Sequence, residues 1–304
     1  MSNPRDRGAF WGVDIGGTTI VIGFLENGFR RVATMDMDIR ESPERTLERL
    51  SEAMEGTGTP AGAVGVGIAG LVDAGRGILV SSPNLPEWRD YNVRERLSLL
   101  LRCPVIVDND CNVFAIGALS RGLIPGSGLW LMVTLGTGIG GTIILDGRIV
   151  YGTGFAGEFG HMTVEAYGRE CPCGSRGCWE RYAAAGALSR YYSEFGGEEG
   201  TRPVVIAERA AAGDVNASSA FTRFGEWLGI GLANLYHCLN PEGVFLAGGL
   251  SGSADLFLPS ARKEFSSRCG YEWNVMQLPA SSTAGAEGAA LMAVRRFDGA
   301  EEGA

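Results

Sequence analysis

Short apolar runs rich in Val, Ile, Trp and Phe alternate along the chain with longer segments whose apolar residues recur at helical spacing. Residues 10–25 read as a strand, a turn around Gly16, Gly17 and Thr18, and a second strand, with Asn27-Gly28 supplying a hairpin turn. Residues 129–145 repeat the plan, with Gly136, Thr137, Gly138, Gly140 and Gly141 in the turn and Asp146-Gly147 after it. A β-hairpin built twice around a Gly/Thr turn, about 120 residues apart, predicts duplicated α/β domains that face each other.

Helical spacing predicts helices over 44–53, 93–101, 112–119, 221–239 (stopped by Asn240-Pro241) and 286–297. Between them, 64–69 reads as a strand entering a Gly turn. Residues 104–107 form a strand ending in Asp108-Asn109-Asp110, and 243–247 one running into Gly248-Gly249. Strands alternating with helices indicate an α/β architecture with parallel sheet. Ligands of such sheets bind outside the carboxyl ends of strands, where each Gly or Asp cluster falls.

Composition narrows the functional classes. A chain of 304 residues can form two modest domains, each with a core. A net charge of -9 and a pI near 4.9, with no run of Lys or Arg, argue against a nucleic-acid partner. Residues 129–145 are apolar enough to suggest a membrane span, but their Gly and Thr cluster fits two strands better. The first seven residues are short and polar and predict no signal peptide, so a cytoplasmic protein is expected. On that expectation Asn216-Ala217-Ser218 is a chance glycosylation sequon. Of the seven cysteines, Cys103, Cys111, Cys238 and Cys269 lie among apolar neighbours, as reduced core thiols do, and His237 beside Cys238 reads as a packed or partly exposed core histidine.

Four constellations carry candidate chemistry. Asp14 with Gly16, Gly17 and Thr18, and Gly136 with Thr137 and Gly138, form two turns whose freed amides and hydroxyls suit phosphate oxygens, with Asp14 able to hold Mg²⁺. Read singly, each could be only a tight hairpin. Asn109-Asp110 ends a strand and aims a carboxylate where it can accept a hydroxyl proton; the bland alternative is a helix N-cap, and Asp108 competes for the role. His161, Cys171, Cys173 and Cys178 combine one of two histidines with three of seven cysteines within 18 residues, a closed tetrahedral zinc set, against a disulfide or unrelated thiols. Glu158 and Glu180 flank that loop and could accept sugar hydroxyls, although surface glutamates are the usual case.

Taken together, Asp14-Ile-Gly-Gly-Thr18, Asn109-Asp110, Leu135-Gly-Thr-Gly-Ile-Gly140, Gly157-Glu-Phe-Gly-His161 and Cys171-x-Cys-Gly-x-x-Gly-Cys178-x-Glu180 resemble the ROK family. That family comprises bacterial glucokinases, other hexose and N-acetylhexosamine kinases, and sugar-responsive repressors. The resemblance spans about Phe10 to Phe297. It implies two RNase H-like (actin-like ATPase) domains with a cleft between them: residues 1–118, completed by a helix at about 286–304, and residues 119–285 with the zinc loop. It implies structural Zn²⁺ on His161, Cys171, Cys173 and Cys178, and ATP with Mg²⁺ on the two Gly turns. Gly248 and Gly249 would lie near the adenosine. Asp110 would be the general base, with Asn84, Asn109, Asp110, Glu158, His161 and Glu180 around the sugar and Gly70 and Ser81 lining the same pocket. His161 would ligate zinc through one nitrogen and reach the sugar with the other.

The implied reaction is direct transfer of the ATP γ-phosphoryl to a hexose primary hydroxyl. Glucose is the expected substrate; N-acetylmannosamine, N-acetylglucosamine, allose and fructose are alternatives. A homodimer or homotetramer without nucleic acid or membrane is expected. A sugar-binding regulator is a second reading, but the nine residues or so before the first strand leave no room for a helix-turn-helix module. An actin-like ATPase without sugar activity would explain the Gly turns but not the Cys cluster. Two departures from the family pattern are Thr142, where many relatives carry Gly, and the Cys111-Asn112 pair after Asp110.

Overall fold

Two five-stranded sheets with one strand plan organise the chain. The computed structural model describes residues 8–279 and 281–298. The described residues divide into two compact units: unit 1 drawn from 1–124, 151–156 and 281–304, unit 2 from 125–150 and 157–280.

In unit 1 the strands are β1 (Ala9–Ile15), β2 (Thr19–Leu25), β3 (Phe29–Asp36), β4 (Ala61–Ile68) and β8 (Val105–Asn109), in the order β3-β2-β1-β4-β8. The first three form an antiparallel meander, and β4 and β8 run parallel to β1. A small antiparallel sheet joins β5 (Leu71–Asp73), β6 (Ile78–Ser81) and β7 (Tyr91–Asn92). The helices are α1 (Pro43–Glu55), α2 (Val93–Leu101), α3 (Asp110–Ser120) and, from the far end of the chain, α9 (Ala284–Phe297). Ser42 caps α1 through its side chain, with Pro43 in the first turn. The core gathers Trp11, Ile15, Leu47, Leu50, Val64, Val66 and Trp88.

Glycines decide how α9 seats. A Cβ on Gly12 of β1 would collide with the carbonyl oxygen of Ala286, one on Gly65 of β4 with that of Ala289, and one on Gly288 with that of Val113 in α3. Helix backbone therefore lies directly on strand and helix backbone, with no side chain between them.

Unit 2 repeats the order with β9 (Leu129–Leu135), β10 (Ile139–Leu145), β11 (Arg148–Ile149), β12 (Gly243–Ala247) and β13 (Val275–Gln277), arranged β11-β10-β9-β12-β13. β9, β12 and β13 are parallel. Its helices are α4 (Glu180–Ala183), α5 (Ala185–Glu194), α6 (Pro203–Ala211), α7 (Val215–Leu239) and α8 (Ala254–Arg268). Trp179, Phe221, Phe224, Phe257 and Phe265 fill the core around them.

The predicted hairpin turns are realised with left-handed pairs: Asn27 at φ 53° and Gly28 at φ 123°, Asp146 at φ 48° and Gly147 at φ 72°. Asn240 ends α7 at φ 46°, just before Pro241. α7 begins six residues earlier than its apolar periodicity predicts, because Asp214 accepts the Asn216 and Ala217 amides and starts the helix in a polar stretch. Two expectations are corrected. Cys103 and Cys111 are buried, but Cys238 is exposed and Cys269 only partly covered. His237 lies with Cys238 on the outward arc of α7, edge-on to Tyr271, while Leu235 and Tyr236 point inward. Among the described residues no helix is long and apolar enough to cross a membrane.

Candidate active site

In unit 1, strand register sets up the chemistry. Asp14 on β1 pairs with Gly67 on β4, and Gly67 with Asp108 on β8, so the three occupy one row on one face of the sheet. Gly67 leaves room between the two acids that a methyl group of Val113 fills. Asp14 lies against Gly285, in the first turn of α9, where a Cβ would collide with its Oδ2. Burial, reinforced by the nearby negative charge of Asp110, pushes its pKa up to about 7.

The β8–α3 junction separates the two competing carboxylates. Asp108 is 2% exposed and both its oxygens are engaged. Oδ1 accepts from the Asn109 backbone N–H at 2.7 Å and from Asn112 Nδ2 at 2.9 Å, and Oδ2 accepts from Tyr151 Oη at 2.6 Å. Burial pushes its pKa up, opposed by those hydrogen bonds. Asp110, in contrast, is the first residue of α3 and keeps part of its surface open. Its Oδ1 accepts from the Cys111 N–H at 3.0 Å and faces the Cys111 thiol at 3.6 Å, and burial holds its pKa above the ordinary carboxylate value. The N-cap role belongs to Asn109, whose Oδ1 accepts from the Cys111 N–H at 2.8 Å while its Nδ2 donates to the Gly70 carbonyl at 2.9 Å. One donor hydrogen and one lone pair remain on Asn109 for a ligand.

Gly16, Gly17 and Thr18 form the β1–β2 turn, closed by the Gly16 N–H on the Thr19 carbonyl at 2.9 Å, with Thr18 exposed. Asn84 lies on this turn, its Cβ 3.0 Å from where a Gly17 Cβ would stand, and its backbone N–H donates to Ser82 Oγ at 3.2 Å. The structure thus brings Asn84 to the phosphate-type turn.

In unit 2, Gly136, Thr137 and Gly138 form the matching β9–β10 turn, and the Ala185 N–H at the start of α5 donates to the Gly136 carbonyl at 2.9 Å. Gly248, at φ 89°, presses on the Leu135 backbone at the end of β9, with Gly249 following it. The ligand atoms of His161, Cys171, Cys173 and Cys178 all lie within 4.8 Å of one another. Cys173 Sγ is 3.6 Å from Cys178 Sγ, and Cys171 Sγ is 3.9 Å from His161 Nδ1. Zn–S bonds of about 2.3 Å set the edges of a tetrahedral shell at about 3.8 Å, so this donor set fits zinc. Gly174 at φ 90° and Gly177 at φ 71° let the loop double back.

Two carboxylates adjoin the cluster. Glu180 Oε1 lies 3.2 Å from Cys171 Sγ and 3.8 Å from His161 Nδ1. Its Oε2 would be 2.7 Å from a Cβ on Gly138, so Glu180 stands between the cysteine loop and the Gly turn. Glu158 Oε2 is 3.8 Å from His161 Nε2, the nitrogen that points away from the thiols. Sequence reasoning gave no role to Tyr151 or Ser82 and marked Asn112 only as a departure from the family pattern; a lone tyrosine 43 residues from its partner carries no spacing signal.

The ROK family matches the chain across residues 10–296. This chain belongs to the ROK family. Among curated relatives, the glucokinase of Streptomyces coelicolor is 34% identical over 273 residues, covering 84% of this ROK chain and 86% of that protein. Among solved structures, a ROK family glucokinase from Streptomyces griseus in complex with glucose and AMPPNP superposes with a TM-score of 0.81 at 34% identity, over 95% of this chain and 100% of that one. The ROK hexokinase from Thermus thermophilus follows with a TM-score of 0.76 at 31% identity, over 96% and 100%. The ROK protein therefore has the two-domain actin-like ATPase fold of these neighbours, and the duplicated sheet order is its signature.

Proposed function

We propose that this ROK protein is an ATP-dependent hexokinase that phosphorylates glucose at its primary hydroxyl. The observation that carries the reading is the likeness, over 95% of the chain, to a glucokinase held with glucose and AMPPNP. The chemistry of the two units agrees with it. Amides and hydroxyls of the turns at Gly16, Gly17 and Thr18 and at Gly136, Thr137 and Gly138 bind the ATP phosphates, and Gly248 and Gly249 adjoin the adenosine. Asp14 is the residue that would hold Mg²⁺, which neutralises phosphate charge when bound. Asn84, Asn109, Glu158, His161 and Glu180 hold the sugar hydroxyls. His161, Cys171, Cys173 and Cys178 would hold zinc as a structural ion that stiffens the loop carrying Glu180.

Asp110 takes the proton of the primary hydroxyl as that oxygen forms its bond to the γ-phosphorus. The bond from phosphorus to the β–γ bridging oxygen breaks, ADP leaves, and the proton remains on the carboxylate until water removes it. Alignment and electrostatics supply most of the acceleration. A reducing cytoplasm, which keeps the thiols available to metal, and a homodimeric or homotetrameric assembly complete the reading.

The test is a panel of glucose, N-acetylmannosamine, N-acetylglucosamine, allose and fructose with ATP and Mg²⁺, following ADP and sugar phosphate. Glucose-dependent formation of both is expected. ADP release indifferent to every sugar defeats the proposal in favour of a plain ATPase.

A further inference from the structure

We propose that Asp108 and Tyr151 form a positioning pair for the base. The tyrosine hydroxyl fixes the buried carboxylate, and that carboxylate fixes the strand-to-helix junction from which Asp110 projects. The inference rests on the reading of Asp110 as the base.

The junction is abrupt. Asn109 is extended, at φ -63° and ψ 145°, and the next residue is already helical. Asp108 spans it with one oxygen: Oδ1 accepts the Asn109 N–H on the strand side and the Asn112 amide, one turn into α3, on the helix side. A rotation of the Asp108 carboxylate would pull on both ends of the segment containing Asp110. Oδ2 decides that rotation, and it is held by Tyr151 Oη at 2.6 Å. Tyr151 begins the 151–156 segment, which packs in unit 1 although the residues before and after it in sequence belong to unit 2. Its hydroxyl arrives from outside the β8–α3 region and acts as an external reference point.

Stability alone is a poor account of the pair. A buried carboxylate is costly to desolvate, and an apolar pair of equal volume often serves a core as well or better. A carboxylate with three donors adds direction, because each hydrogen bond loses strength when its angle opens. Direction matters two residues from a group that must meet a hydroxyl proton in a near-attack geometry, where about 1 Å of displacement can cost about 100-fold in rate. Asp14, in the same row, lies beside Gly285 rather than in such a cradle, as befits a group that exchanges a ligand.

The experiment uses the full chain with its metal and measures kcat, the KM values for glucose and ATP, and Tm for the wild type, Tyr151→Phe, Asp108→Ala, Asp108→Asn and Asp110→Asn. Tyr151→Phe removes only the hydroxyl and is expected to lower kcat about 10- to 100-fold with both KM values within about two-fold. Asp108→Ala is expected to lose at least as much. Asp108→Asn keeps the shape and can donate to Tyr151 Oη, so it should retain at least about five-fold more turnover than Asp108→Ala. Tm losses with kcat unchanged in Tyr151→Phe and Asp108→Ala overturn the pair as a positioning device. Asp108→Asn as dead as Asp110→Asn, with Tyr151→Phe fully active, overturns it by making Asp108 the base. A wild type inactive on every hexose overturns the pair and the kinase reading together, whereas an active wild type with a fully active Tyr151→Phe overturns the pair alone.

Discussion

In unit 1 the row across β1, β4 and β8 reads Asp14, Gly67, Asp108; in unit 2 the strands at the same places, β9 and β12, set Thr134 beside Ala247. One strand plan thus carries an acidic face in one unit and a neutral one in the other. The packing differs too: α9 sits on the sheet of unit 1 at Gly12 and Gly65, whereas the core of unit 2 packs an aromatic on a helix glycine, Trp179 against Gly231 of α7. Buried acids need donors or room, and unit 1 supplies Tyr151 and Asn112 to Asp108 and the Gly285 gap to Asp14. Unit 2 keeps its carboxylates, Glu158 and Glu180, beside a candidate metal knot. On the proposed reading, one topology divides the tasks: Asp110 and Asp14 of unit 1 would serve proton and Mg²⁺, and the Cys and His knot of unit 2 would carry Glu158 and Glu180.

The comparison breaks most visibly at the base. Asp110→Asn should lower kcat by about 1,000-fold or more while calorimetric glucose affinity stays within about three-fold. Near-normal turnover would dissolve the assignment of proton transfer to unit 1. In the wild type the acid limb of kcat/KM should lie above the ordinary carboxylate range of about 4, because the base works ionised and burial raises the Asp110 pKa. A limb at about 4 points to a solvated carboxylate instead.

A metal lesion should be just as one-sided. Cys178→Ser, or removal of metal by a chelator, should take zinc content from about one equivalent to none and lower Tm by about 10 °C or more. Hydrogen exchange should speed up across 161–180 while β1 and β4 stay protected; uniform loss of protection would show that the knot supports more than its own unit.

Smaller effects probe the packing contrast. Gly65→Ala drives a methyl group into the Ala289 carbonyl and should destabilise by about 2–3 kcal/mol in urea titrations. Gly186→Ala in α5 faces open space and should be neutral or stabilising by up to about 1 kcal/mol. Equal outcomes at the two sites would mean that α9 is not seated on backbone.

What could be read in advance follows from how local each signal is. Asn27-Gly28 and Asp146-Gly147 declare left-handed turns within two residues, and both appear. The Cys and His set, compressed into 18 residues, converges to 4.8 Å because glycines fold a short loop. β3 gave no apolar run since it is an edge strand with no fully buried residue, and α8 was hidden by Pro259 inside it. The division between Asp108 and Asp110 was illegible for a deeper reason. It turns on a hydroxyl 43 residues downstream, and no local pattern encodes which of two neighbouring acids will be saturated.

The glycine seat of α9 also bears on synthesis. The strands of unit 1 leave the ribosome before those of unit 2, yet the helix that lies on β1 and β4 is translated only after the whole of unit 2. Until then the glycines of β1 and β4 that seat this helix stay uncovered, for many seconds at about 5–20 residues per second.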